Sequence, residues 1–161
     1  MISYKILLIY SIKMSCLDQW ALKMGEAEWT YIFDKKKKII LFFSTTEKSS
    51  LHCRINYDEP SQTINLHIIY ERKCGKVQIP VMVNLLNCLN YDLPLGFFII
   101  DQNTGSISFK HSTHVVGIDI TKQFVDTFIR GAVSTAENHY LKIDAVIEGY
   151  SVEKALTFGK K

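Results

Sequence analysis

The stretch from Val77 to Ile120 narrows the folds open to this chain more than any other. Pro80 suits the first turn of a helix, where its missing N–H costs nothing. Behind it, Met82, Leu85, Leu86 and Leu89 recur at the spacing of one apolar helical face. Asn84, Asn87 and Asn90 share another face, and Asn90 is suited to the C-terminal end. Tyr91-Asp92-Leu93-Pro94-Leu95-Gly96 then turns the chain, since Pro94 cannot readily continue a helix. Leu95 to Ile100 is apolar enough for a buried strand. Asp101-Gln102-Asn103-Thr104-Gly105 is dense in turn formers, and Gly105 can take a positive φ. From Ser106 to Lys110 polar and apolar residues alternate, the period of a half-buried strand. Thr121 is a good N-cap for a long helix carrying Phe124, Val125, Phe128, Ile129, Ala132, Val133 and Ala136 on one face. That helix reaches about Glu148, and Gly149 can cap it.

Upstream, the pattern is that of short strands. Cys16 to Met24 reads as a helix with Leu17, Trp20, Ala21 and Met24 on one face, ended by Gly25. Trp29–Phe33 and Ile39–Phe43 are rich in β formers, and Asp34-Lys35-Lys36-Lys37-Lys38 between them predicts a hairpin. Leu51–Tyr57 is a third strand with Leu51, Cys53, Ile55 and Tyr57 on one side. A fourth carries Ile64, Leu66, Ile68 and Tyr70 on its apolar face. Short strands at regular spacing favour an antiparallel meander. The reading is an α+β fold: helix, β-meander, helix, β-hairpin and long C-terminal helix, with the helices flanking one antiparallel β-sheet.

These residues carry a resemblance. The segments LLNCLN (85–90), LGFFIIDQNTGSISF (95–109) and VIEGYSVEKAL (146–156) resemble the bacterial YbjN-type family, described as regulators of sensory transduction. The likeness covers about the last half of the chain, whereas residues 16–75 agree mainly in the order of elements. The resemblance implies a fold similar to type III secretion chaperones, α-β-β-β-α-β-β-α, here with an extra early strand. It also implies a homodimer, with the 80–90 helix and the 95–110 hairpin as interface pieces, and hence Met82, Leu86, Leu89, Phe97 and Phe109 as interface residues. No catalytic residues come with the family.

At 161 residues, with 47% hydrophobic and 22% charged content, the chain has the size and composition of one globular domain with a real core. Residues 14–161 are read as that domain. Ile6–Ile12 resembles a short signal-peptide core, but Lys13 interrupts it and it falls far short of the ~20 apolar residues of a membrane span. Met14 offers a second start, which makes residues 1–13 an N-terminal extension and the expected location cytoplasmic. Cys16, Cys53, Cys74 and Cys88 form no C-x-x-C pair and are expected as reduced structural thiols, Cys88 buried among leucines.

Little in the sequence points to catalysis. Of His52, His67, His111, His114 and His139, the pair His111/His114 is closest, but on a strand those two point to opposite sides. No phosphate cradle or nucleophile elbow occurs. No metal, cofactor or enzymatic activity is therefore expected. Lys35–Lys38 reads as a solvated hairpin tip rather than a phosphate-contacting loop, and with a net charge of +3 neither nucleic acid nor membrane is the expected partner. Trp20, Trp29, Tyr31 and Phe33 are the candidate protein-binding residues, should some of them cover an exposed groove. The chain is thus expected to be a non-enzymatic, chaperone-like or regulatory module holding a partner polypeptide. The alternative is a regulator that senses a small ligand.

Overall fold

The computed structural model describes residues 14–46 and 49–159; the N-terminal extension at 1–13 lies outside the described residues. Helix α1 (Cys16–Glu26) starts at Ser15, whose hydroxyl accepts from the Asp18 N–H at 3.2 Å, while the Asp18 carboxylate accepts from the Ser15 N–H at 3.3 Å. This reciprocal box satisfies two otherwise orphaned donors. Gly25 does not end the helix. The chain turns at Glu28, which adopts φ +64°. Strands β1 (Ile32–Asp34), β2 (Ile39–Thr45), β3 (Ser50–Asp58) and β4 (Thr63–Tyr70) follow as an antiparallel meander. Helix α2 (Ile79–Tyr91) leads to β5 (Phe97–Ile100) and β6 (Ile107–His114), then to α3 (Lys122–Ile147) and the short α4 (Val152–Ala155). Thr121 and Ser151 cap α3 and α4 with their hydroxyls.

The hairpin joins the meander through β6, giving one six-stranded sheet ordered β1-β2-β3-β4-β6-β5. The register aligns Phe42, Cys53, Ile68, Phe109 and Phe98 in a single row across five strands. All five side chains are buried. Helices α1 and α3 pack over this face; Trp20 meets Phe124 and Phe128 edge-on at centroid distances of 5.9 and 5.3 Å. Burying one Trp removes roughly 150–250 Å² from water, about 4–6 kcal/mol gross at ~25 cal/mol per Å². Trp20 Nε1 has no hydrogen-bond partner there, a cost of about 1–3 kcal/mol. Burial wins, and Trp20 is a core residue. Among the described residues, the opposite face of the sheet carries no helix.

This packing corrects several expectations. Trp20 is fully buried and offers no partner surface. Met82, Leu86, Leu89 and Phe109 are buried within the single chain, because α2 turns its apolar stripe onto α3, α4 and β5 and because Phe109 lies in the inner row. They are not free to form a dimer interface; of the five, Phe97 is exposed. Cys88 faces solvent, since the neighbouring leucines occupy the inner face and helical periodicity turns it outward beside Asn84. The predicted strand from Leu95 is shorter and lies at the sheet edge: Leu95 is exposed, and only Phe98 of β5 is fully buried.

That edge is closed by one side chain. Asn90 Nδ2 donates to the Phe98 carbonyl at 3.0 Å, and the Phe98 N–H donates to Asn90 Oδ1 at 2.7 Å. An amide thereby imitates the next strand and shields an edge open to aberrant pairing. Asn90→Ala should destabilise the fold by about 2–3 kcal/mol in urea denaturation, since two bonds of about 1–1.5 kcal/mol each are lost. Unaltered stability would mean that α2 closes the edge by packing alone.

Candidate functional site

Strand β6 runs four residues past its partner β5. Pairing of the two strands stops at Phe97 opposite Lys110, so among the described residues His111–His114 keeps β4 on one side and has no strand on the other. The Pro94-Leu95-Gly96 corner ends β5 here. Gly96 adopts φ +75°, and a Cβ in its place would overlap the Phe109 ring and come within 2.7 Å of the Lys110 carbonyl. Only glycine lets the chain cross so close to β6. Because the N–H and C=O of Phe98 both go to Asn90, antiparallel alternation aims those of Ser108 and Lys110 at β5. The same alternation aims the backbone groups of Ser112 and His114 into the unfilled space.

Helix α3 forms the far wall of that space. Phe124, Thr127, Phe128, Gly131, Ala132 and Thr135 recur at helical spacing along the groove, and Phe109, His111 and Thr113 from the inner face of β6 form its floor. Its volume is about 430 Å³. Gly131 and Ala132 keep the wall low, and a Cβ at Gly131 would meet nothing within 4 Å.

The groove is nearly uncharged. Its one titratable side chain is His111, which lies 4.5 Å from the Phe128 ring. Its Nδ1 is buried without a partner, and burial lowers its pKa below the ordinary 6.5. The ring is therefore neutral at physiological pH. No carboxylate lines the groove, and the Ser112 hydroxyl donates to Asn65 Oδ1 at 2.8 Å rather than joining His111. The arrangement can bind an apolar chain and offer it backbone and imidazole hydrogen bonds. It has no paired acid and base.

The sequence-derived candidates lie elsewhere. Trp29, Tyr31 and Phe33 are half-buried against the core. Trp29 Nε1 donates to Asp126 Oδ1 at 2.9 Å, and Arg130, paired with Asp126, sits 5.2 Å over the indole. These contacts, Arg130 first, hold the Asp126 carboxyl below its usual range. Trp29 thus fastens the α1–β1 connection to α3 and is not a free anchor. Phe33 lines a separate cavity of about 270 Å³ with Leu17, Lys35, Lys38 and Tyr57. Lys35, Lys37 and Lys38 sit within 3.5–3.8 Å of Asp18, Asp34 and Glu59, so most of the lysine run faces carboxylates. His111 and His114 point to opposite sides of β6, as their spacing predicts, and no metal-holding cluster occurs among the described residues. The Cys53 thiol is pushed up to about 12 by burial, with Glu137 adding to it, so it is inert. No helix among the described residues is long and apolar enough to cross a membrane. Thr127, Gly131 and Thr135 escaped sequence reading. The available signal was Gly131, an isolated glycine inside a strong helical pattern.

No family model matches the chain, and no curated protein matches it significantly. Among solved structures it is similar to the crystal structure of YbjN, a candidate transcription regulator from E. coli, with a TM-score of 0.61 at 11% identity over 83% of this chain and 90% of that one. The likeness is one of fold: the chain has a YbjN-like α+β architecture.

His67, His111 and His139 are all held below 6.5, chiefly by burial. Each stays neutral in the folded state where the unfolded chain takes up a proton. Their contribution to stability is complete above the unfolded pKa and is lost as pH falls from there toward the folded values. Unfolding free energy in urea should therefore decline from neutrality to about pH 5, and His111→Phe should flatten that decline. A slope unchanged by the substitution would show that His111 does not contribute.

Proposed function

We propose that this protein is a non-enzymatic module that holds an extended, apolar segment of a partner polypeptide in the groove between β6 and α3. The observation that carries the reading is the unpaired end of β6. Ser112 turns its backbone donor and acceptor into a groove whose other walls are mainly apolar, and His114, whose carbonyl accepts from the Thr113 hydroxyl at 3.4 Å, extends the same edge beyond it. A guest strand would satisfy those groups by adding to the sheet, and its alternate side chains would enter the space over Phe128, Gly131 and Ala132. Main-chain bonds would supply affinity and the low helix wall would set side-chain size. Such holding is compatible with a regulatory role of the kind named for YbjN.

A second reading, a sensed small ligand, draws on a different observation. The groove's volume of about 430 Å³ lies within the range of ordinary ligand sites, with His111 and three threonines converging on it. A ligand that raises the melting temperature without any peptide present would favour it.

Gly131→Leu discriminates the groove from every other surface. It should fill the space and weaken partner capture about tenfold or more, the ~1.4 kcal/mol equivalent of a lost apolar contact. Gly131→Ala should retain capture and raise stability by roughly 0.5–1 kcal/mol through helix propensity. A photocrosslinker at Thr127 should attach to the captured polypeptide, and one at Lys36 should not. Full capture by folded Gly131→Leu would sink the proposal.

A further inference from the structure

The uncovered face of the sheet is chemically unlike the groove on the other side. Its register brings Leu41, Arg54, His67, Lys110 and Phe97 into one row across β2, β3, β4, β6 and β5. The adjoining row on one side is Phe43, His52, Ile69, Ser108 and Ile99; on the other it is Ile39, Asn56, Asn65 and Ser112. None of these residues is acidic; the carboxylates of this face lie at its rim, Asp34 of β1 beyond Ile39, where Lys37 stands 3.8 Å from it, and Asp58 at the end of β3. Neither Arg54 nor Lys110 makes an ion pair among the described residues, unlike Lys35, Lys37 and Lys38 at the β1–β2 turn. The middle of the row registers this uncompensated charge. The His67 pKa is lowered first by burial and then by Lys110 and Arg54. Its Nε2 lies 3.1 Å from the Ser108 hydroxyl, which fixes the ring in the sheet surface.

Aromatic rings flank the cations. Phe43 is 61% exposed and meets His52 edge-on at 4.9 Å; Phe97 is 48% exposed and is paired with Lys110. Across four gaps of ~4.8 Å, with a two-residue offset of ~7 Å along the strands, Phe43 and Phe97 stand about 20 Å apart with Arg54 and Lys110 between them. The side amides of Asn56 and Asn65 lie in the next row.

We propose that this open sheet face binds single-stranded nucleic acid, with Arg54 and Lys110 over the phosphates and Phe43 and Phe97 stacking on bases. Unstacked bases present π-faces that aromatic side chains on an open sheet can meet, and a backbone polyanion follows a cationic track. An acidic peptide would match the cations but leave the exposed rings unused. A duplex would hide its base faces from both rings. The Lys35–Lys38 run is the weaker candidate for phosphate, because carboxylates already stand against three of its lysines.

The experiment is fluorescence anisotropy of a labelled oligothymidylate titrated with the full chain at low salt. Saturable binding that weakens as salt rises is expected, and Arg54→Glu/Lys110→Glu should reduce affinity about tenfold or more. Phe43→Ser/Phe97→Ser should also weaken it. Lys36→Glu/Lys122→Glu makes the same charge change elsewhere and should have far less effect. Gly131→Leu, which alters only the groove, should leave it unchanged. Circular dichroism of each variant separates lost binding from lost folding. The proposal is overturned if folded wild-type protein does not bind, if duplex or oligoglutamate competes as well as single strand, if the two charge-reversal pairs act alike, or if the phenylalanine pair has no effect.

Discussion

Phe42, Cys53, Ile68, Phe109 and Phe98 form one apolar row across five strands, and its burial under α1 and α3 is the contact on which the rest of the molecule depends. Because every strand alternates, committing that row to the inside commits Leu41, Arg54, His67, Lys110 and Phe97 to the outside. A slip of one residue in β3 or β6 would carry a charged or polar side chain, and in β4 could carry His67, to the inner face. The tethers from α3 into the sheet hold the same arrangement: the Tyr70 hydroxyl donates to the Ala136 carbonyl at 2.6 Å, and Ser44 donates to Glu137 at 2.9 Å. One-sided coverage thus creates two surfaces of opposite character from a single sheet.

The edges of the sheet are handled differently at its two sides. At the meander side, β1 is only three residues long. At the hairpin side, Asn90 imitates a strand against Phe98. Between that amide and the end of β6 lies the stretch that neither device protects. Unpaired backbone beside an apolar wall is ordinarily a liability for a folded chain. Its placement next to Gly131, where an added Cβ would meet nothing within 4 Å, makes the groove a site with room for a guest.

Much of this architecture was legible before the structure. The strands of β3 and β4, the cap at Thr121, and the apolar faces of α1 and α3 follow from period and local chemistry. The candidate site was not. Trp20, Trp29, Tyr31 and Phe33 attracted notice because they are large and aromatic, yet size and apolarity are what a core selects for. Met82, Leu86 and Leu89 likewise form an amphipathic stripe that can pack within a chain or between two. Their spacing is identical in both cases, and only the position of α3 and α4 shows that the stripe is satisfied internally.

Local sequence determined which segments alternate and which recur at helical spacing, and thereby which face of each element is apolar. It could not determine that β6 would outrun β5, because the paired length of a strand depends on partners that its own pattern does not name; the Gly96 crossing and the pairing with β4 set it. Nor could it place Arg54, His67 and Lys110 side by side. Lys110 lies far along the chain from the β3–β4 hairpin that carries Arg54 and His67, and cross-strand register, a property of hydrogen bonding between segments, makes the three neighbours. Burial preference acts on each residue singly and is written in the sequence; adjacency between strands arises only when the sheet closes.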